Sequence, residues 1–359
     1  MVTRLGGDEF AILRCRLDDP AEAASLADSA IQGLAEAFEF DGHTVAIGAS
    51  IGISLAPSDS TDPDELLMMS DLALYKAKAD SRGTWRFYEQ GMETRLQTRR
   101  AIENDLRVGI REGHFEVHYQ PLLNVATGRI GSFEALVRWR HPERGLIQPA
   151  EFIPIAEESG LIIPIGEGVL RQACRDAATW PDDIGVAVNL SPAQFKRGDL
   201  VAMTTSALAA AGLSPRRLEL EITESVLLHD EKWVRSVLEK LTAFGVRIAM
   251  DDFGTGYSSL SYLRSFPFAK IKIDSAFVAD LAGTTDALAI VQATIQLSEK
   301  LGMKTTAEGV ETAEQLAILT SEGCSEVQGY HVSRPVPADR VFELLDRYGN
   351  AKPLLRKAS

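Results

Sequence analysis

From about His114 onward, short apolar runs alternate with longer amphipathic ones. The short runs begin near Glu116, Phe133, Val186, Leu218, Arg247, Lys270, Thr305 and Glu326, and each has the length of a strand. Between most of them lie runs with helical apolar spacing: IGEGVLRQACRDAATW, EKWVRSVLEKLTAFG, TDALAIVQATIQLSEKLG and TAEQLAILTSEG. Strands and helices interleaved in this number, over roughly 240 residues, match the size of one (β/α)8 barrel of the TIM type.

The front of the chain has a different rhythm. VTRL and EFAILRC flank Gly6-Gly7, which predicts a hairpin, and DPAEAASLADSAIQGLAEAF predicts a helix after an Asp-Pro start. HTVAIGASIGISLAP then reads as a strand, DPDELLMMSDLALYKAKA as a second helix, and TWRFYEQ as a last strand. Residues 91–112 predict a helical connector with Leu96, Ile102, Leu106 and Ile110 on one stripe. No Gly/Ser linker interrupts it, so the two parts are expected to move as coupled bodies. The division expected is a mixed α+β part over 1–90, the connector over 91–112, the barrel over 113–350 and a tail over 351–359.

The barrel runs share a second feature: polar residues at the same relative point near their ends. Glu134, Asn189, Glu221, Asp251-Asp252, Lys272 with Asp274, Glu308 and Gln328 all occupy it. Such barrels carry their chemistry at the C-terminal ends of the strands. One strand-end acid is more often a helix cap or an ion-pair partner, but a repeated set gathers oxygen donors on one rim. No histidine or cysteine joins at ligand spacing, which favours Mg²⁺ or Mn²⁺ over zinc. Adjacent carboxylates at Asp251-Asp252 would repel each other without a cation nearby. The set could hold two cations, activating a water for attack on a phosphoryl centre. Lys272 could orient or deprotonate that water or neutralise the developing charge, and Arg138, four residues after Glu134, could clamp a phosphate. Gly254, Gly256 and Ser258-Ser259 read as a loop beside this rim.

Composition narrows the partners. With 45% hydrophobic and 25% charged residues the chain reads as ordinary globular protein. A net charge of −14 argues against a nucleic-acid polymer or an anionic membrane surface as partner. Cys15, Cys174 and Cys324 form neither a zinc spacing nor a disulfide framework, which fits a reducing cytoplasm. No apolar stretch has the length of a membrane span, and the first residues do not read as a signal peptide.

The residues also resemble known families. EALVRW at Glu134, FIPIAEESGLI at Phe152, NLS at Asn189, EITES at Glu221, DDFGTGYSSL at Asp251, KID at Lys272, AEGVE at Ala307 and QGYHVSRP at Gln328 are similar to the EAL family, in order, over nearly all of residues 100–350. The resemblance implies a barrel phosphodiesterase that linearises the bacterial messenger cyclic di-GMP to pGpG with Mg²⁺ or Mn²⁺, the alternatives being a non-catalytic receptor or a bifunctional synthase and hydrolase. It implies Glu134, Asn189, Glu221 and Asp251 as ligands of one metal, with Asp251 bridging, and Asp252 and Glu308 as partners of the second. By the same resemblance Lys272 contacts the attacking water, Gln120 and Arg138 contact substrate, Gln328 contacts a phosphate or water, and Glu224 secures the DDFGTGYSSL loop. A homodimer is implied too.

GGDEF at Gly6, SIGIS at Ser50 and SDLALYKAKADSRG at Ser70 resemble a diguanylate cyclase domain. That likeness implies Asp8 and Glu9 facing a metal, and Lys78 with Arg82 binding the phosphates of GTP. Elements expected ahead of the GGDEF hairpin do not precede it here. The front is therefore expected to be the C-terminal portion of such a domain, lacking cyclase activity and exposing an unpaired sheet edge. The chain would then be cytoplasmic, and part of a longer sensor that could be membrane-anchored through preceding residues.

Overall fold

A computed structural model describes residues 1–40, 43–80, 82–227, 230–254, 260–282 and 285–349. Gly256, Ser258, Ser259 and the tail over 351–359 lie outside the described residues. The chain forms two compact units, Met1–Ile102 and Glu103–Ser359, dividing within one helix, Met92–Glu112.

In the first unit, Val2–Gly6 pairs antiparallel with Glu9–Ile12 across the Gly6-Gly7 turn, as the hairpin signal predicts. Helix Pro20–Ala35 follows, its N-terminus capped by the Asp19 carboxylate, which accepts from the Ala21 N–H. The run read as one strand from His43 is two. His43–Val45 pairs antiparallel with Phe38–Phe40, and Ile51–Ile53 pairs parallel with Trp85–Phe87. Gly48 stands between the two pieces, and a glycine there offers neither side-chain packing nor backbone restraint to carry a strand through. Helix Pro63–Asp80 completes the unit. Val2, Leu5, Phe10, Ile12 and Leu13 on the hairpin are all exposed, Phe10 to 63%.

The second unit closes eight strands into a barrel: β1 Phe115–Asn124, β2 Arg129–His141, β3 Gly185–Leu190, β4 Leu218–Thr223, β5 Arg247–Phe253, β6 Lys270–Ile273, β7 Lys304–Ala307 and β8 Glu326–Val327. These are the runs expected from the sequence. Pairing is parallel from β2 to β8, while β1 is antiparallel to both β2 and β8. The barrel therefore opens with a hairpin, its turn held by Asn124, whose Oδ1 accepts from the Thr127 N–H, rather than with a helical crossover. Two further two-residue or three-residue strands extend the sheet outside the ring, Gly145–Ile147 on β2 and Val336–Pro337 on β1.

Alternation along each strand sorts the side chains. In LELEIT of β4, Leu218, Leu220 and Ile222 face outward to the helices, while Glu219 and Glu221 face the barrel interior. In KIKI of β6, Ile271 and Ile273 face out and Lys270 and Lys272 face in. The outer helices answer with apolar stripes at helical spacing. Ile162–Ala177 buries Ile165, Val169, Leu170, Ala173 and Ala177, and Glu231–Phe244 buries Val234, Val237, Leu238 and Leu241.

Candidate active site

Lys272 is the hub of the upper barrel. It is 1% exposed, and its Nζ lies 2.6 Å from Glu308 Oε1, 2.7 Å from Glu221 Oε2, 3.0 Å from Asp251 Oδ1 and 3.8 Å from Glu134 Oε1. Each neighbour arrives from a different strand, three of them near or just past its C-terminal end and Glu134 from the middle of the long β2. Glu221 comes from β4 and Asp251 from β5, in register with Thr223. Glu308 follows β7 directly, and its N–H continues the ladder onto Ile273 O at 3.1 Å. Glu134 comes from β2, opposite Gln120 of β1.

Glu134 is held from two further sides. Asn189 Nδ2 donates to its Oε1 at 2.6 Å, and Gln328 Nε2 donates to its Oε2 at 2.5 Å and to Gln120 Oε1 at 3.0 Å. Gln120 in turn donates to Ser333 O at 3.2 Å. The amides expected to meet substrate are thus committed here to fixing Glu134, while Gln328 Oε1 is buried without a hydrogen-bond partner. Gly329 permits this arrangement, because a Cβ there would stand 2.1 Å from Val310 O, where the chain beside Gln328 pairs with Val310.

Strict alternation would send Asp252 to the face opposite Asp251. A bulge prevents that. The β5–β6 register shifts between Met250 and Phe253, and Asp252 adopts a left-handed φ of 52°, a conformation that aspartate tolerates better than most residues. Carboxylate oxygens of Asp251, Asp252 and Glu308 consequently lie within 4.8 Å of one another. Past the bulge, Gly254 has φ 97°, and its N–H donates to Glu224 Oε1 at 3.3 Å. Arg138, four residues beyond Glu134 on β2, is half-buried, and its Nη1 donates to Val137 O at 2.8 Å.

The electrostatics follow from one cation among many anions. Burial pushes Glu221 well above the usual carboxylate range, with Glu134 and Asp251 adding repulsion against the pull of Lys272. Burial likewise lifts Glu308 to about 7, with Asp251 and Glu134 repelling against Lys272, and lifts Asp252 to about 6, helped by Asp251 and Asp274. For Lys272 itself burial would strip the proton, but Glu134, Glu221, Glu308 and Asp251 outweigh it and hold the ammonium well above its usual range. Burial lowers the Arg138 guanidinium.

These donors fit a divalent cation. Asp251, Asp252 and Glu308 form one candidate metal site, all their ligating atoms are hard oxygens, and Glu221 Oε1 is buried with no hydrogen-bond partner. Cys174 and Cys324 are buried elsewhere as free thiols.

Two groups escaped the sequence reading. Asp274, named there only as a strand-end residue, adds its negative charge beside Asp252 and caps the next short helix by accepting from the Ala276 N–H. Below the hub lies a second ionic layer: Lys270 Nζ is 2.6 Å from Glu219 Oε1 and 2.7 Å from Glu326 Oε2, with Lys304 at 3.1 Å from Glu326 and Arg247 at 3.6 Å from Glu219. The signal was available in LELEIT and KIKI, where charges two apart in a buried strand must share the interior face. In the front unit, Asp8, Glu9, Lys78 and Arg82 are all exposed.

Comparison with known proteins places these features in a family. The EAL domain profile matches residues 103–335, and the profile described as diguanylate cyclase, GGDEF domain, matches residues 1–84. An uncharacterized signaling protein of Caulobacter vibrioides is 50% identical over 337 residues, covering 94% of this chain and 42% of its own length. The bifunctional diguanylate cyclase/cyclic di-GMP phosphodiesterase MucR of Pseudomonas aeruginosa is 42% identical over 345 residues, covering 95% of this chain and 50% of its own. The chain thus spans about half the length of the curated relatives it matches. The solved structure "PaMucR Phosphodiesterase, c-di-GMP complex" is 44% identical, with a TM-score of 0.65, and covers 67% of this chain and 99% of its own.

Proposed function

The chain belongs to the EAL domain family, and from that premise we propose that its barrel hydrolyses cyclic di-GMP to linear pGpG with divalent metal. The observation that carries the proposal is the charge balance at the barrel mouth, where one buried ammonium stands among Glu134, Glu221, Asp251 and Glu308. Such a surplus of buried negative charge is costly unless protons or cations neutralise it.

Glu134, Asn189, Glu221 and Asp251 would hold one Mg²⁺ or Mn²⁺, and Asp252 with Glu308 would help hold a second. Bound there, the cations supply Lewis-acid activation of water and charge neutralisation at the phosphoryl oxygen. Asn189 spends its amide nitrogen on Glu134, so its carbonyl oxygen is the end left for a cation. Lys272, kept protonated by its neighbours, donates to the attacking water or to the developing oxyanion rather than acting as a base. Gln328 and Gln120 keep Glu134 in place and offer Gln328 Oε1 to a water or substrate group. Arg138, held on the rim by Val137, presents its guanidinium to a phosphate. Glu224 fixes the loop that begins at Gly254.

The test is chromatography of the protein incubated with cyclic di-GMP and Mg²⁺, with and without chelator. Formation of pGpG that the chelator prevents is expected; intact nucleotide retained on the protein would make the barrel a receptor instead. The proposal extends to homodimers, checked by light scattering, and to GTP at the front unit through Lys78 and Arg82. A phosphodiesterase rate indifferent to GTP, together with no GTP bound at equilibrium, would remove that second element.

A further inference from the structure

A cavity of about 470 Å³ opens at the foot of the barrel, at the N-terminal ends of β3, β4 and β5 and so opposite the active site. Arg216, Arg217 and Arg247 line it together with Asp182, Asp183 and Gly185. The two signs do not cancel within it. Asp182 is 93% exposed and Asp183 is exposed as well, so water screens their charges, whereas the Arg217 side chain is only 12% exposed.

Arg217 cannot swing away. Its Nε donates to Ile184 O at 2.9 Å, and its Nη2 donates to Ala177 O at 2.5 Å and Trp180 O at 3.4 Å. Those bonds leave Nη1, whose nearest acid, Asp182, stands at 3.9 Å, beyond hydrogen-bond reach. Burial also depresses its guanidinium, against the pull of Asp182 and Asp183. Arg247 Nε is buried and makes no hydrogen bond, its closest acid being Glu219 at 3.6 Å. Among the described residues Arg216 has no hydrogen-bond or ion-pair partner. Gly185 keeps the floor open, because a Cβ there would stand 3.0 Å from Arg247 Nη2 and 3.1 Å from Arg217 O.

We propose that this cavity is an anion site for a phosphate dianion, either inorganic phosphate or the terminal phosphate of a mononucleotide. Planar guanidinium forks with unused N–H groups are matched to phosphate oxygens, and three converging on one concavity discriminate against monovalent anions.

The test uses the full chain in excess chelator, where the mouth of the barrel carries surplus negative charge and repels phosphate. No turnover enters the measurement, so it stands or falls apart from the hydrolysis of cyclic di-GMP. Binding is followed by ³¹P line width for inorganic phosphate and, separately, for GMP. Saturable binding is expected with a Kd below about 10 mM. Arg216→Ala removes an exposed side chain and should weaken it about tenfold, as one charge-assisted hydrogen bond is worth. Ser214→Glu, which adds a carboxylate to the exposed rim of the same cavity, should abolish it. GMP binding more tightly than phosphate assigns a mononucleotide to the cavity, and equal or weaker GMP binding assigns phosphate itself. Binding that does not saturate, or that is equal in wild type and both variants, overturns the proposal.

Discussion

Lys270 and Lys272 lie two residues apart on the same face of β6, and both ammonium groups are buried, yet their surroundings differ in kind. Around Lys272 one ammonium faces the carboxylates of Glu134, Glu221, Asp251 and Glu308. Around Lys270 the cations Lys270, Lys304 and Arg247 face only Glu219 and Glu326. The lower layer neutralises itself, and Glu326 shows it. Burial would raise that carboxyl, but Lys270 and Lys304 together hold it down to about 2. The upper layer cannot neutralise itself, and burial with mutual repulsion lifts Asp252 and Glu308 instead. A structural ion network and a metal site can thus be built from the same residue types, one step apart on the same strands. What separates them is the ratio of acids to bases.

The strongest way to break this comparison is to remove a carboxylate from the upper layer. Asp251→Ala should lower turnover of cyclic di-GMP in excess Mg²⁺ by about a thousandfold or more, the several kcal/mol expected of a metal ligand. Its melting temperature in chelator should be no lower than wild type, since one source of repulsion is gone. A variant that hydrolyses at the wild-type rate would remove Asp251 from the metal site.

The reverse outcome is expected below. Lys270→Met removes the one buried cation that touches both acids, leaving Glu219 and Glu326 to the more exposed Arg247 and Lys304, and should cost about 3–5 kcal/mol of stability, read from denaturant unfolding. Activity per folded molecule should survive. Equal stability would mean the lower layer is not the structural element its charge balance suggests.

Lys272→Ala tests the boundary between the two. It should cut turnover about a hundredfold with little change in substrate affinity, because the ammonium serves the reacting water or oxyanion. A loss confined to affinity would make it a binding group.

Titration separates the layers with smaller effects of opposite sign. The Glu326 carboxyl is depressed in the fold, so its ionised form stabilises fully above its unfolded value of 4.5, and that contribution is lost as the pH falls through about 2. The stability difference between wild type and Glu326→Gln should therefore shrink on acidification below about pH 4.5, followed by thermal melting. Asp252 and Glu308 are raised, so in chelator they bind more protons folded than unfolded between their ordinary values and about 6 and 7. Their effect is to lower stability as the pH rises through that window, and added Mg²⁺ should reverse it. A melting profile in chelator that Mg²⁺ does not change would count against a metal at the upper layer.

The sequence was most legible where short apolar runs alternate with longer amphipathic ones. All eight barrel strands follow from that rhythm, and Glu221, Asp251, Lys272 and Glu308 lie near or just past the C-terminal ends of theirs, whereas Glu134 lies in the middle of β2. Three features were not legible, each because a local event overrides the period. The bulge at Asp252 reverses the face that counting assigns to it. The direction of β1 depends on a tight turn after Asn124, not on the apolar pattern, which reads the same either way. In the front unit Gly48 splits a run whose composition is continuous. The lower ionic layer was legible in principle, but its charges sit at the N-terminal starts of their strands, where a search of the C-terminal rim does not look.

Reversal of β1 has a mechanical consequence. In a barrel whose first strand is parallel to the rest, the preceding chain joins at the floor, and ten residues of strand, about 30 Å, separate it from the mouth. Here Phe115, the first residue of β1, is paired with Trp139 just past Arg138, and the last turns of the helix before it are pinned there, His141 Nε2 lying 3.3 Å from Asp105. The lever arm is short: a twist or tug on residues 103–112 arrives at the rim that carries Arg138 without crossing the barrel, so its hinge and its working edge are the same place.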